Sequence, residues 1–91
     1  MRIYKYPIKK DKNAYGDLIL EMPVIHQILD IKEQDDVLCI WAIVHEETEV
    51  EKRHFRIVAT GDPVVEGLVF VKTFYQGVFV WHLFQDFRTN R

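Results

Sequence analysis

The chain of 91 residues contains no serine and only one cysteine, Cys39. Without serine there is no Ser-based nucleophile, so the sequence excludes the serine hydrolases and their acyl-enzyme chemistry. A single cysteine cannot form an intramolecular disulfide. Because Cys39 lies inside an apolar run, we expect it to be a small buried hydrophobe and not a reactive thiol.

A long apolar run and a strong net charge are also missing. No stretch approaches 18 apolar residues and the first residues lack the apolar segment of a secretory signal, so we expect a cytoplasmic protein with no membrane partner. Twelve Lys and Arg against fourteen Asp and Glu give a net charge of -2, which does not favour duplex nucleic acid. The glycines form no phosphate-binding loop and the histidines no metal-binding spacing, so we expect neither cofactor nor metal.

The chain does contain short apolar segments separated by turn signals, a pattern typical of an all-β domain. At this length we expect a single domain over residues 1–91. The predicted fold is a six- to seven-stranded antiparallel meander forming a small sandwich or barrel. The predicted strands are residues 2–8, 17–22, 24–31, 37–44, 52–60, 68–75 and 78–85, with a polar connection at residues 9–13. Residues 24–31 also fit a loop followed by a strand at 28–32, or one short helical turn.

Two turns and two doubly apolar strands suggest how these strands assemble. A turn at residues 60–63 predicts a hairpin between the fifth and sixth strands, and Gln76-Gly77 predicts a tight hairpin between the last two. Residues 37–44 and 78–85 are apolar on both faces, so something must cover each side. We therefore expect a homo-oligomer, with one aromatic core in a single chain as the alternative.

The stretch Lys52-Arg53-His54-Phe55-Arg56 is the most suggestive for ligand binding. Arginine beside an aromatic ring can clamp a phosphate or carboxylate and stack a base. We expect a small anionic, nucleotide-like ligand, with a candidate set drawn from this stretch and later strands: Arg53, Phe55, Arg56, Lys72, Tyr75, Trp81 and His82. The alternative is that Phe55 faces the core while the arginines pair with acidic residues.

Charge is unevenly distributed along the chain. Residues 1–12 carry five basic residues and one acidic residue, whereas residues 30–51 carry eight acidic residues and one basic residue. Such segments can steer a partner or a second copy of the chain, and ordinary solvated faces are the alternative explanation. The candidate partner interface consists of Trp41, Glu47, Glu49 and Phe79.

A His-based or metal-dependent enzyme is the remaining chemical alternative. It requires the segment His45-Glu46-Glu47 to converge with His82, which happens if the strands that carry them pair.

Four segments together resemble a family of short, uncharacterised bacteriophage and prophage proteins, a domain of unknown function. They are residues 3–7 (IYKYP), 38–44 (LxxWAxV), 55–61 (FRxxxTG) and 80–84 (VWHxF). The resemblance implies a phage origin and carries over no catalytic residue. It points to a non-enzymatic binding protein that interferes with a host function such as antiviral defence, by sequestering a nucleotide-like signal or by occupying a host protein. A phage structural or replication accessory protein is the alternative.

Overall fold

The computed structural model describes residues 1–8 and 16–88, which form seven β-strands and no helix. The strands are β1 (Arg2–Pro7), β2 (Asp17–Met22), β3 (Val24–Gln34), β4 (Val37–His45), β5 (Glu51–Ala59), β6 (Leu68–Gln76) and β7 (Phe79–Asp86). The all-β prediction is confirmed, and the predicted strand positions differ from the observed ones by a few residues at most. The predicted polar connection at residues 9–13 lies outside the described residues. Across the described part of the chain, no helix is long and apolar enough to cross a membrane.

The strands form two open antiparallel sheets packed as a sandwich. Sheet A has the order β1-β4-β3 and sheet B the order β2-β5-β7-β6. Among the described pairings, β3–β4 and β6–β7 are hairpins, and the connections from β1 to β2, β2 to β3 and β4 to β5 pass from one sheet to the other. Neither sheet closes on itself, so of the two predicted arrangements the sandwich is the one formed.

The predicted hairpin at residues 60–63 is wrong. A turn does begin there, since the Asp62 N–H donates to the Ala59 carbonyl at 3.1 Å and Gly61 has a φ of +97°. However, β7 lies between β5 and β6 in sheet B. A strand that is apolar on both faces is typical of the interior of a sheet, and β7 pairs with β5 along one edge and with β6 along the other.

Strand β3 is extended over its whole length, so the loop and helical alternatives for its first half are wrong. The register against β4 shifts at His26 and at Leu29, each of which is an extra residue without a partner. As a result the inward-facing residues fall three apart: Ile25 opposite Val44, Ile28 opposite Ala42, and Ile31 opposite Ile40. These two bulges explain why the spacing of the isoleucines imitates a helical turn.

The two hairpins use two-residue turns with positive φ. In β6–β7, Gln76 pairs with Phe79, so the turn is Gly77-Val78 and not Gln76-Gly77 as predicted. Gly77 takes the first turn position with a φ of +59°, as type II′ geometry requires. In β3–β4, Asp35 and Asp36 have φ values of +52° and +65°, which is the type I′ pattern.

The core lies between the sheets and comes mainly from the central strands. Its fully buried side chains include Leu38, Ile40, Ala42 and Val44 of β4, Phe55 and Ile57 of β5, Phe74 of β6 and Leu83 of β7. The outer face of β4 has no further layer among the described residues: Trp41 and Ile43 are half-buried there. On the outer face of β7, the connection at residues 60–67 lies near His82 and Phe84.

Candidate ligand-binding cleft

One end of the sandwich opens into a cleft of about 590 Å³ between the two sheets. Its lining comes from residues 24–28 of β3, 52–54 of β5, 70–71 of β6 and 85–88 at the end of β7. This volume falls within the range of roughly 300–1,000 Å³ that small-molecule sites occupy. The cleft is therefore large enough to hold a small ligand.

The strand register places Arg53 at the mouth of the space between the sheets. Phe55 and Ile57 of β5 face the core, and because side chains alternate along a strand, Arg53 points to the same inner face. Gln85 of β7 stands opposite Phe55 and shares that face. On β5 and β7 the inward positions beyond Phe55 and Leu83 are thus polar, whereas β2 continues the core with Met22.

The Arg53 guanidinium is held loosely. Its Nε–H donates to the Met22 carbonyl at 3.3 Å, and Nη1 lies 3.5 Å from Glu51 Oε2. Nη2 is buried and, within the described residues, has no hydrogen-bond partner. Leaving a buried donor unsatisfied costs about 1–3 kcal/mol, so an acceptor placed there by a ligand would be stabilised.

The described lining of the cleft carries more positive than negative charge. Arg88 is fully engaged, because its Nε and Nη2 donate to the two carboxylate oxygens of Asp86 at 2.9 and 2.7 Å. Arg53 lies 3.5 Å from Glu51, and Lys52, which points to the other face of β5, also borders the cleft and has no ion pair within the described residues. His26 and His54 also line the cleft. The cleft therefore suits an anion.

Apolar and aromatic side chains lie beside these cations. Ile25 and Ile28 of sheet A are half-buried and pack against the core. Phe70 and Phe87 line the cleft with 56% and 61% of their surface exposed. Phe70 also packs edge to face against Phe84, with 5.7 Å between the ring centroids. This combination fits a ligand that has an anionic group and an apolar or aromatic body.

The structure does not bring the seven predicted ligand residues together. Arg53 lines the cleft, whereas Phe55 is in the core with 1% of its surface exposed. Arg56 points to the opposite face of sheet B, where its Nε and Nη2 donate to Asp17 Oδ1 at 2.9 and 2.6 Å. For Phe55 and Arg56 the structure thus agrees with the alternative given in the sequence analysis, in which Phe55 faces the core and the arginine pairs with an acidic residue.

The other four predicted ligand residues lie on β6 and β7. Lys72 forms an ion pair with Asp30 of β3, which joins the two sheets. Tyr75 is 72% exposed. Trp81 is half-buried, and its ring centroid lies 6.0 Å from that of Phe79. None of these residues lines the cleft as described.

His82 is held between two hydroxyl groups. Its Nε2 lies 2.8 Å from Thr60 Oγ1, and its Nδ1 lies 2.8 Å from Thr73 Oγ1. Convergence with His45 is wrong, since β4 and β7 belong to different sheets. His45 lies instead 3.7 Å from Glu47 Oε1 and makes an edge contact with His26. In the part of the chain that the structure describes, no three His, Cys, Asp or Glu residues are arranged to hold a metal ion.

The predicted partner residues are distributed over separate surfaces. Trp41 lies on the outer face of sheet A, with the Lys32 ammonium 5.8 Å from its ring centroid. Glu47 and Glu49 are exposed in the connection after β4. Phe79 is 60% exposed beside the β6–β7 turn. The ion pair of Asp30 with Lys72 shows that β3 and β6 lie side by side. The β6–β7 turn is therefore at the end of the molecule opposite to the connection that carries Glu47 and Glu49. The four residues do not form one continuous patch.

Sequence reasoning missed several lining residues, among them His26, Phe70, Gln85, Phe87 and Arg88. They come from segments far apart in the sequence, and what unites them is the packing of β3 against the end of sheet B. The polar inward position of Gln85, at the end of an otherwise apolar strand, is the signal that points to an opening of the core.

Comparison with known families adds one assignment. A domain of unknown function, DUF7352, matches residues 1–91, so the chain belongs to this family. No curated protein and no solved structure matches the chain. The expected membership of an uncharacterised family is confirmed, while the phage origin stays a prediction.

Proposed function

We propose that this protein is a non-catalytic binding protein that holds a small anionic, nucleotide-like ligand in the cleft between its two sheets. The observation that carries the proposal is the buried Nη2 of Arg53, which lines the cleft and has no partner among the described residues. A phosphate oxygen at this position would accept charge-assisted hydrogen bonds from Arg53, which are stronger than those between neutral groups.

The biological role that we propose is sequestration. If the protein is phage-encoded, as the resemblance of its segments implies, binding without turnover would remove a nucleotide signal from the host and so interfere with antiviral defence. The proposal favours a small ligand over a host protein because the cleft is a single site, whereas Trp41, Glu47 and Phe79 lie on separate surfaces.

The experiment is native mass spectrometry of protein purified gently from expressing cells, followed by thermal-shift titration with the retained compound or, failing that, with AMP. We expect extra mass in the nucleotide range and a rise in Tm with ligand concentration. Arg53→Gln should lower the affinity at least ten-fold, since it removes the charge that the ligand pairs with.

Arg56→Gln is the matched control, because it changes the same residue type on the same strand but outside the cleft. It should bind like the wild-type protein. Loss of binding in both variants would indicate a general loss of folding, and full binding by Arg53→Gln would exclude the cleft as the site.

Self-association is part of the proposal. Trp41, Ile43 and the exposed Ile3 form an apolar strip on the outer face of sheet A, which a second copy would cover. The same native spectrum gives the mass of the assembly. A dimer is expected, and a monomer at micromolar concentration would contradict this part.

A further inference from the structure

We infer that the ligand of the cleft is a nucleoside monophosphate whose base enters the space between the sheets and whose edge is read by Gln85. This inference rests on the proposed function, since it specifies the compound that the same cleft would hold. It follows from the geometry of the slot, from the amide of Gln85 and from the number of open cations.

The slot is formed by the inner faces of the two sheets, which lie about 10 Å apart in packed sandwiches. Ile25 and Ile28 face into it from sheet A, and Gln85 faces into it from sheet B. A flat ring fits such a narrow space with one face against the isoleucines, so an aromatic group matches it better than a branched sugar.

Gln85 is the polar group within this slot. It is half-buried, and its side chain makes no hydrogen bond within residues 1–8 and 16–88. An amide offers both a donor and an acceptor, which is the pattern that the edge of a nucleobase presents. An apolar ring would leave this amide unpaired, at a cost in affinity.

The number of cationic groups that no carboxylate of the protein engages limits the charge of the ligand. Arg88 is neutralised by Asp86. Arg53 already lies 3.5 Å from Glu51, so its unpartnered Nη2 and the ammonium of Lys52 are the cationic groups that the described lining leaves to a ligand. These groups can serve one phosphate. The additional phosphates of a triphosphate would find no matching cation in this lining, so they should add no affinity.

The experiment compares dissociation constants measured by isothermal titration for inorganic phosphate, ribose 5-phosphate, AMP, CMP and ATP. We expect AMP or CMP to bind at least ten-fold more tightly than ribose 5-phosphate, because burial of the base against the isoleucines and its hydrogen bonds to Gln85 contribute only in the nucleotides. ATP should bind no more tightly than AMP. Gln85→Leu should bring the nucleotide towards the affinity of ribose 5-phosphate without changing the binding of ribose 5-phosphate itself.

Gln34→Leu is the matched control, since Gln34 is an exposed residue at the far end of β3. Equal affinity for ribose 5-phosphate and the nucleotides, or an unchanged nucleotide affinity in Gln85→Leu, would refute the role of the base and of Gln85. The proposed function would survive that result as long as Arg53→Gln still weakens phosphate binding. Absence of binding by all five compounds would refute both.

Discussion

The ion pair between Asp30 and Lys72 joins the free edge of sheet A to the free edge of sheet B, and Asp30→Asn tests its contribution. Strands β3 and β6 lie side by side at this seam without pairing as neighbours in a sheet. The substituted asparagine would keep the side-chain oxygen that in Asp30 accepts the Ile31 N–H at 2.8 Å, so the substitution removes the charge with little change of shape.

The expected magnitude follows from the exposure of the pair. The side chains of Asp30 and Lys72 are 32% and 43% exposed, so solvent screens their attraction and the loss should be about 0.5–1 kcal/mol at pH 7. For a domain of this size that loss lowers the Tm by about 2–8 °C.

The effect should depend on pH. The hydrogen bond from Lys72 lowers the pKa of Asp30, and the Ile31 N–H and the charges of Lys72 and Lys32 also lower it against the opposing effect of partial burial. A carboxylate with a depressed pKa in the folded state stabilises the protein above its unfolded pKa, and that contribution is lost as the pH falls through the folded value. The deficit of Asp30→Asn should therefore begin to shrink as the pH falls below the unfolded pKa of about 4, and it should disappear only below the lowered folded pKa.

Urea unfolding at pH 7 and at pH 3, followed by tryptophan fluorescence, measures both quantities. Asp62→Asn is the control, since Asp62 is exposed in the connection after β5 and forms no ion pair among the described residues. If Asp30→Asn loses the same stability at both pH values, the charge is not the cause and the reasoning fails. A deficit in the Asp62 variant equal to that of Asp30→Asn would also refute it.

Two further substitutions test the fold. Asp36→Gly should raise the free energy of unfolding by about 0.5–1 kcal/mol, because glycine adopts the φ of +65° without strain; a lower urea midpoint would contradict the type I′ assignment. Phe55→Ala should cost about 3–5 kcal/mol, as expected for a core residue with 1% exposure. A variant of Phe55 that unfolds at the wild-type urea concentration would show that the side chain is not in the core.

The strands could be predicted from the sequence because local patterns determine them. Alternation of apolar side chains and the positions of Gly and Pro identify all seven, and the doubly apolar β4 and β7 are indeed central. Strand order could not be predicted, since the pairing of β5 with β7 joins the backbone edges of strands that are distant in the sequence, and no local pattern specifies it. The bulges at His26 and Leu29 are why β3 also fitted a loop or a helical turn, as they break the period of two on which strand prediction depends.

The cleft was only partly predictable. Alternation correctly puts Arg53 and Phe55 on one face of β5 and Arg56 on the other, but it does not say where the core ends along that face. That boundary decides that Phe55 is buried while Arg53 lies at the mouth. Gln85 lines the same cleft as Ile25 and Ile28 only because the two sheets pack together, and no local pattern in the sequence predicts that arrangement.

The pairing of the first two strands with much later ones has a consequence for how the chain folds during synthesis. Arg2 pairs with Val44 and Asp17 with Arg56, so β1 and β2 leave the ribosome well before the strands that bind them. The hairpins β3–β4 and β6–β7 need only their own turns and can form early, whereas closing the long loops that bring in β1 and β2 is entropically slower. Until β4 and β5 emerge, the apolar residues of the first two strands have no partner within the sheets and are available to chaperones or to aggregation.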